Sequence, residues 1–156
     1  MRVVTTHKER AWSEGLYQRA VEFHGHGGPF MLIGLRMGML ALRALDAKGW
    51  FGIRCVARLH WGPPDSCILD GIQISTGCTT GKHNLDVVEA EGVTAEFEAG
   101  DRVLVIGVRD GILAAVRDEQ TEHGDESEEE HEEDSGGLMR RLREMPETEL
   151  FEVHHG

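Results

Sequence analysis

The order of helix-like and strand-like segments in this chain predicts an α+β domain. Three observations carry that reading. Residues 30–48 have a strong helical period, with Met31, Leu32, Leu35, Met39, Leu42 and Leu45 on one wide face. Residues 51–60 (FGIRCVARLH) alternate instead. Ile53, Cys55, Ala57 and Leu59 are set against Arg54, Arg58 and His60, the period of a strand covered on one face. Residues 85–91, 93–98 and 101–109 then read as short strands, with AGDR at 99–102 as a hairpin turn.

The elements follow in order. Residues 7–22 carry Trp12, Leu16 and Ala20, and more weakly Val21, at a spacing of about four that predicts a first helix. FHGHGGPF at 23–30 has three glycines in four positions around a histidine, which suits a tight loop and not a helix interior. Pro29 fits the first turn of the helix that follows, and Gly49 fits its stop. Gly34 and Gly38, four apart, let a neighbouring backbone come close. WGPP at 61–64 is a break. Asp65 or Ser66 can cap a helix from about Cys67 to Ser75 that buries Ile68, Leu69 and Ile72. Gly77 and Gly81 bracket a polar loop. Residues 110–117 continue the sheet or form a short helix, 135–145 form a small amphipathic helix, and LFEV at 150–153 returns as an edge strand or a cap.

At 156 residues, 40% of them apolar, the chain is expected to form one domain. Its main part is residues 1–117. Residues 118–135 are an acidic, disordered loop, and 136–156 are a helix and cap returning to the same domain. The net charge of −12 is concentrated in residues 118–134, which hold eleven acidic side chains and no basic one. No cluster of Lys and Arg suits a phosphate backbone, so nucleic acid is not an expected partner. No apolar run reaches the roughly 18–20 residues that span a bilayer, so no membrane is expected. The start, MRVVTTHKER, lacks the apolar core of a signal peptide. Three cysteines are too few for a disulfide framework. These features point to the cytoplasm.

Two segments carry the chemistry. His24 and His26 stand two apart among glycines that permit sharp turns, so both imidazoles can face one site and ligate a metal. Cys67 and Cys78 add thiols, and a mixed His/Cys set suits zinc or a similar divalent ion. On a straight helix their Cα atoms would lie roughly 16 Å apart. Both can therefore serve one metal only if the chain folds back after Gly77; otherwise one ligates and the other packs. Cys67 falls near a helix N-terminus, where the dipole lowers a thiol pKa. Cys55, in the strand pattern, is a core residue. Asp70 and Gln73, three apart on a helix, share a face that can line a pocket. GCTTGKHN fails as a phosphate loop, because Gly77 and Gly81 enclose only three residues, but backbone N–H groups and Lys82 could make a smaller anion site. His123 and His131 lie in the acidic run and could hold divalent ions weakly.

FHGHGGP with its IGLRMG helix, followed by CILDGIQISTGCTTGKHNL, resembles the FmdE/FwdE family, named after one component of molybdenum or tungsten formylmethanofuran dehydrogenase. The resemblance covers roughly residues 8–109, and the PETELFEV ending is similar too. It implies a helix, a strand, another helix and three more strands, the strands forming a mixed four-stranded sheet packed on helices. It also implies a metal, zinc in the first instance, and a homodimer. His24, His26, Cys67 and Cys78 would hold the metal, and Asp70, Gln73, Thr79, Lys82 and Asn84 would shape the ligand side. The family's cysteine after HGH is Gly28 here, and the zinc ribbon that many relatives carry is absent from this sequence. The implied role is a metal-binding accessory of a molybdenum or tungsten oxidoreductase complex, whose own chemistry belongs to other components. Two alternatives remain: a stand-alone small metalloenzyme with Asp70 as base, and a metal-handling protein whose acidic loop feeds the pocket. No catalytic residue is assigned.

Overall fold

A helix that is apolar on nearly every side belongs inside, and the helix Pro29–Leu45 is of that kind: of its residues only Arg36, Arg43 and Ala44 are not buried. The structure, a computed structural model, describes residues 12–122 and 137–156. In chain order they form α1 (Glu14–His24), α2 (Pro29–Leu45), β1 (Arg54–Leu59), α3 (Ile68–Thr76), β2 (Leu85–Glu89), β3 (Thr94–Ala99), β4 (Arg102–Val108), α4 (Asp110–Glu122), α5 (Leu138–Glu144) and β5 (Phe151–His155). A single helical turn, Glu147–Leu150, leads into β5.

The sheet is mixed, in the order β2-β1-β3-β4-β5. β1 runs parallel to β2 and antiparallel to β3, and the remaining pairs are antiparallel. Ile53, Cys55, Ala57 and Leu59 are all buried, as their alternation requires. The expected four strands become five, because Phe151–His155 pairs with β4, Val153 opposite Ile106. That C-terminal segment is held by buried Leu150 and Phe151 and by two arginines. Arg36 Nη1 donates to the carbonyls of Leu142 and Met145 at 2.8 and 2.5 Å. Arg109 Nε donates to the Thr148 carbonyl at 2.9 Å.

Several boundaries move for local reasons. α1 begins at Glu14 because Ser13 caps it, its Oγ accepting the Leu16 N–H at 3.0 Å. Trp12 therefore precedes the helix, and the buried stripe is Leu16, Tyr17 and Ala20. α2 stops at Leu45 on a left-handed Asp46 (φ 52°), before Gly49. Residues 110–117 are helical, and α4 continues to Glu122, so the acidic run starts as helix and not as a disordered loop. Residues 123–134 of that run, His123 and His131 included, lie outside the described residues.

The contact that fixes the site is between α2 and α3. A Cβ at Gly34 would lie 2.0 Å from the Ile68 carbonyl oxygen, and one at Gly71 would lie 2.1 Å from that of Met31. The helix backbones touch there, the close approach expected of Gly34. At Gly38 the neighbour is a side chain, Ser75 Oγ, 1.8 Å from where a Cβ would be.

Candidate functional site

The two ends of α3 open onto different surroundings. At its start, Asp65 does not cap the helix. It is buried and accepts from Arg117 Nη2 at 2.6 Å, and a 3-10 turn, Asp65–Cys67, leads into α3 with no side-chain cap. Asp70 and Gln73 share a face, as their spacing demands. With Cys67 and Trp61 they line an open cleft of about 280 Å³, which Leu85 and Val87 of β2 also line. His24, the last residue of α1, reaches this face: its Nδ1 lies 2.6 Å from Asp70 Oδ2, and its side chain is only 9% exposed. Gly25, at φ 104°, ends α1 and turns the chain so that the His26 ring comes to 4.8 Å from the His24 ring. The two imidazoles stand together, as the flanking glycines permit. His26 also lies over Gly28, where a Cβ would come 3.1 Å from its Cε1.

Cys67 is half-buried, and its thiol is not activated. Burial, with the carboxylates of Asp70 and Asp65, pushes it up from its ordinary value. The helix-dipole expectation fails here because desolvation and two nearby acids act in the opposite direction.

At the other end, Gly77 (φ 78°) closes α3, and the loop after it bonds to the segment before β1. Cys78 is fully buried, and its Sγ donates to the Ile53 carbonyl at 3.7 Å. Burial pushes this thiol up as well, and that of the core residue Cys55 further. Asn84 is the hub of the loop. Its Oδ1 accepts the Thr79 N–H at 2.8 Å, and its Nδ2 donates to the carbonyls of Trp50 and Ile53 at 3.0 and 3.1 Å. Thr79 Oγ1 accepts from both the backbone N–H and Nζ of Lys82, each at 3.2 Å, and Nζ also sits 5.6 Å from the centre of the Phe51 ring. The N–H groups of Cys78, Thr79 and Lys82 are thus bonded within the loop, which removes them as donors for an anion.

The predicted residues therefore divide. The structure brings His24, His26, Cys67, Asp70 and Gln73 to one end of α3. Cys78, Thr79, Lys82 and Asn84 lie past the C-terminal end of the helix and do not line this cleft, although Thr80 of the same loop does. Trp61, Ser66, Thr80, Leu85 and Val87 line this cleft without having been singled out from the sequence as ligand-side residues. The signal for Trp61 is a large aromatic in a Gly-Pro loop directly after a strand, where a side chain has little core to enter.

Among the described residues, no group of three or more His, Cys, Asp and Glu side chains is gathered to hold a metal ion. A closed four-ligand zinc site is not what these residues fit. With Cys78 turned inward and no thiol at position 28, the donors left are two imidazoles and the Cys67 thiol. These donor types can ligate a divalent ion, but in this structure the three are not gathered around one point.

A family model described as FmdE, Molybdenum formylmethanofuran dehydrogenase operon, matches residues 23–152. The chain belongs to this FmdE family. Its matched span contains both the histidine loop and the whole of α3. A probable S-adenosyl-L-methionine-binding protein of Archaeoglobus fulgidus is 39% identical over 74 residues, which are 45% of this chain and 19% of that protein. This chain thus spans less than a fifth of that relative's length. The crystal structure of a tungsten formylmethanofuran dehydrogenase FmdE-like protein from Syntrophus aciditrophicus superposes with a TM-score of 0.58 at 19% identity. The superposition covers 92% of this chain and 71% of that one, and shows that this FmdE-family chain shares its fold. Among the described residues no helix is long and apolar enough to cross a membrane.

Proposed function

We propose that this FmdE-family chain is a metal-binding accessory protein, working beside an oxidoreductase of the molybdenum or tungsten formylmethanofuran dehydrogenase type. Its metal end would be His24, His26 and Cys67, which the ion would have to draw together. The observation that carries the reading is the 2.6 Å contact between His24 Nδ1 and Asp70. A carboxylate on one ring nitrogen fixes the orientation of an imidazole and leaves Nε2 for a ligand, the usual outer-shell arrangement of a metal-binding histidine.

The remaining residues have definite tasks in this reading. Asp70 orients His24. Gly25 brings His26 alongside it. Cys67 is held as a thiol by burial and nearby acids, so ligation requires loss of its proton and becomes stronger as pH rises. A bound divalent ion with an open position would supply a Lewis acid at the head of the cleft.

Zinc titration followed by affinity purification from the native cells tests this reading. Wild-type chain should take up zinc in a His24-dependent way and should co-purify with a molybdenum or tungsten enzyme. Zinc uptake indifferent to His24→Ala, or no such enzyme recovered from cells that make one, would count against it.

A further inference from the structure

We infer that the cleft between α3 and β2 is a binding site for a small organic cation, an ammonium group carried on an aromatic or apolar body. The inference does not depend on the proposed metal, although the two sites share Cys67 and Asp70.

Charge comes first. No lysine or arginine lines the cleft, and its one charged lining residue is Asp70. Arg117 of α4 does not line the cleft and pairs with Asp65 at 2.6 Å. Lys82 and Arg54 line a separate pocket beside Phe51 at the other end of α3. Asp70 gives one oxygen, Oδ2, to His24, and among the described residues it accepts no other hydrogen bond. Its side chain keeps 33% of its surface exposed, so Oδ1 is available to a donor entering from the cleft. An anionic ligand would meet this carboxylate with no lysine or arginine of the cleft to offset it. A cationic one meets a charge-assisted acceptor.

Shape and aromatic character come second. Trp61 is 60% exposed, and its backbone is anchored where its N–H donates to Glu89 Oε1 at 2.8 Å. Glu89 Oε2 also pairs with His60 Nδ1 at 3.0 Å. These two bonds hold the Glu89 carboxyl below the usual carboxylate range, so a second negative charge stands beside Trp61. An exposed indole that shares the cleft with the Asp70 carboxylate, with the Glu89 carboxylate bonded to its own backbone N–H, suits a cation–π contact. Leu69, Leu85 and Val87 supply an apolar floor for the body that carries the charge. Gln73 offers both a donor and an acceptor for a further polar group.

Benzylamine, with neutral benzyl alcohol and anionic benzoate as matched controls, tests this in metal-free protein kept in a chelator at neutral pH. The readout is the NMR shift of the Trp61 indole N–H and the Gln73 side-chain amide. Benzylamine should shift both signals, more weakly as salt is raised. Asp70→Asn and Trp61→Leu should each weaken its binding about tenfold. Benzyl alcohol and benzoate should leave the signals in place. Benzoate binding as well as the amine, benzylamine binding unchanged in Asp70→Asn, or no response to any of the three would overturn the inference. Because the protein carries no metal in this experiment, amine binding with failed zinc uptake would remove only the metal reading, and the reverse would remove only this one.

Discussion

The two ends of α3 carry polar residues of much the same kinds and use them in opposite ways. At the C-terminal end Ser75, Thr76 and Asn84 turn their polar side chains to the protein's own backbone. Ser75 Oγ donates to the Gly71 carbonyl, Thr76 Oγ1 donates to that of Ile72 and accepts the Cys78 N–H, and Asn84 ties three strands of loop together. At the N-terminal end Asp70 bonds to one imidazole and keeps an oxygen for the cleft, and Cys67 and Gln73 line that same opening. Buried polar groups must be paired, and pairing them internally makes scaffold. A half-exposed group with an unspent acceptor is left for a ligand. One continuous motif, residues 67–84, therefore combines two arrangements: most of its cleft-lining residues lie in its first half, joined by Thr80, and the internally bonded network lies in its second.

Moving α3 as a whole would break the comparison most severely. Gly71→Ala places a methyl group against backbone, 2.1 Å from the Met31 carbonyl oxygen, where no flexible side chain can give way. A loss of about 3 kcal/mol or more is expected, or failure to fold, read from the midpoint of chemical denaturation.

Asn84→Ala attacks the scaffold end alone. Two backbone carbonyls and one N–H lose their partner in a buried loop, at a cost of about 2–4 kcal/mol. The cleft residues adjoining this network are Thr80 and Leu85, not Trp61, so the Trp61 indole signal should stay at its wild-type position in the folded variant. A shifted Trp61 signal would mean that the two ends are coupled.

Asp70→Asn should do the reverse. His24 keeps its packing, and the change in stability should be about 1 kcal/mol or less for a pair that is partly exposed. The effect belongs in chemistry: removing the Asp70 charge removes one cause of the raised Cys67 pKa, so the thiolate fraction rises. Alkylation of Cys67 by iodoacetamide should be slower than that of a free thiol at neutral pH in the wild type, should rise as pH climbs past the ordinary thiol range, and should be faster in Asp70→Asn.

The smallest expected signal is the absence of one. Cys55 and Cys78 have no exposed surface, and both should resist the reagent until the protein unfolds. Labelling of native Cys78 at the rate of Cys67 would contradict its placement.

Much of the fold is legible because its signals are local. Alternation from Ile53 to Leu59 marks β1, the 3.6-residue period marks α2, and the tight 99–102 turn marks the β3–β4 hairpin, where Ala99 pairs with Arg102. β5 is legible only as a choice between strand and cap, because LFEV is too short to declare a partner that lies far away in sequence. The site is legible to a similar depth. The spacing of Asp70 and Gln73 fixes a shared face, and HGH among glycines fixes two neighbouring imidazoles. The direction in which the chain leaves Gly77 is not written in composition or period. It depends on Asn84 reaching the carbonyls of Trp50 and Ile53, contacts more than thirty residues away. That direction decides that Cys78 belongs to the core. Trp61 is missed for a related reason: WGPP signals a break, and a break conceals which side chain is left facing the cleft.

The most direct measurement is the metal content of protein purified without added metal or a His tag, compared among wild type, His24→Ala and Cys78→Ala. With folding confirmed by circular dichroism, wild type should hold about one divalent ion per chain. His24→Ala should lose it and Cys78→Ala should keep it. Loss of metal in a folded Cys78→Ala variant would contradict the separation of the two ends, and a wild type without metal would contradict the metal site itself.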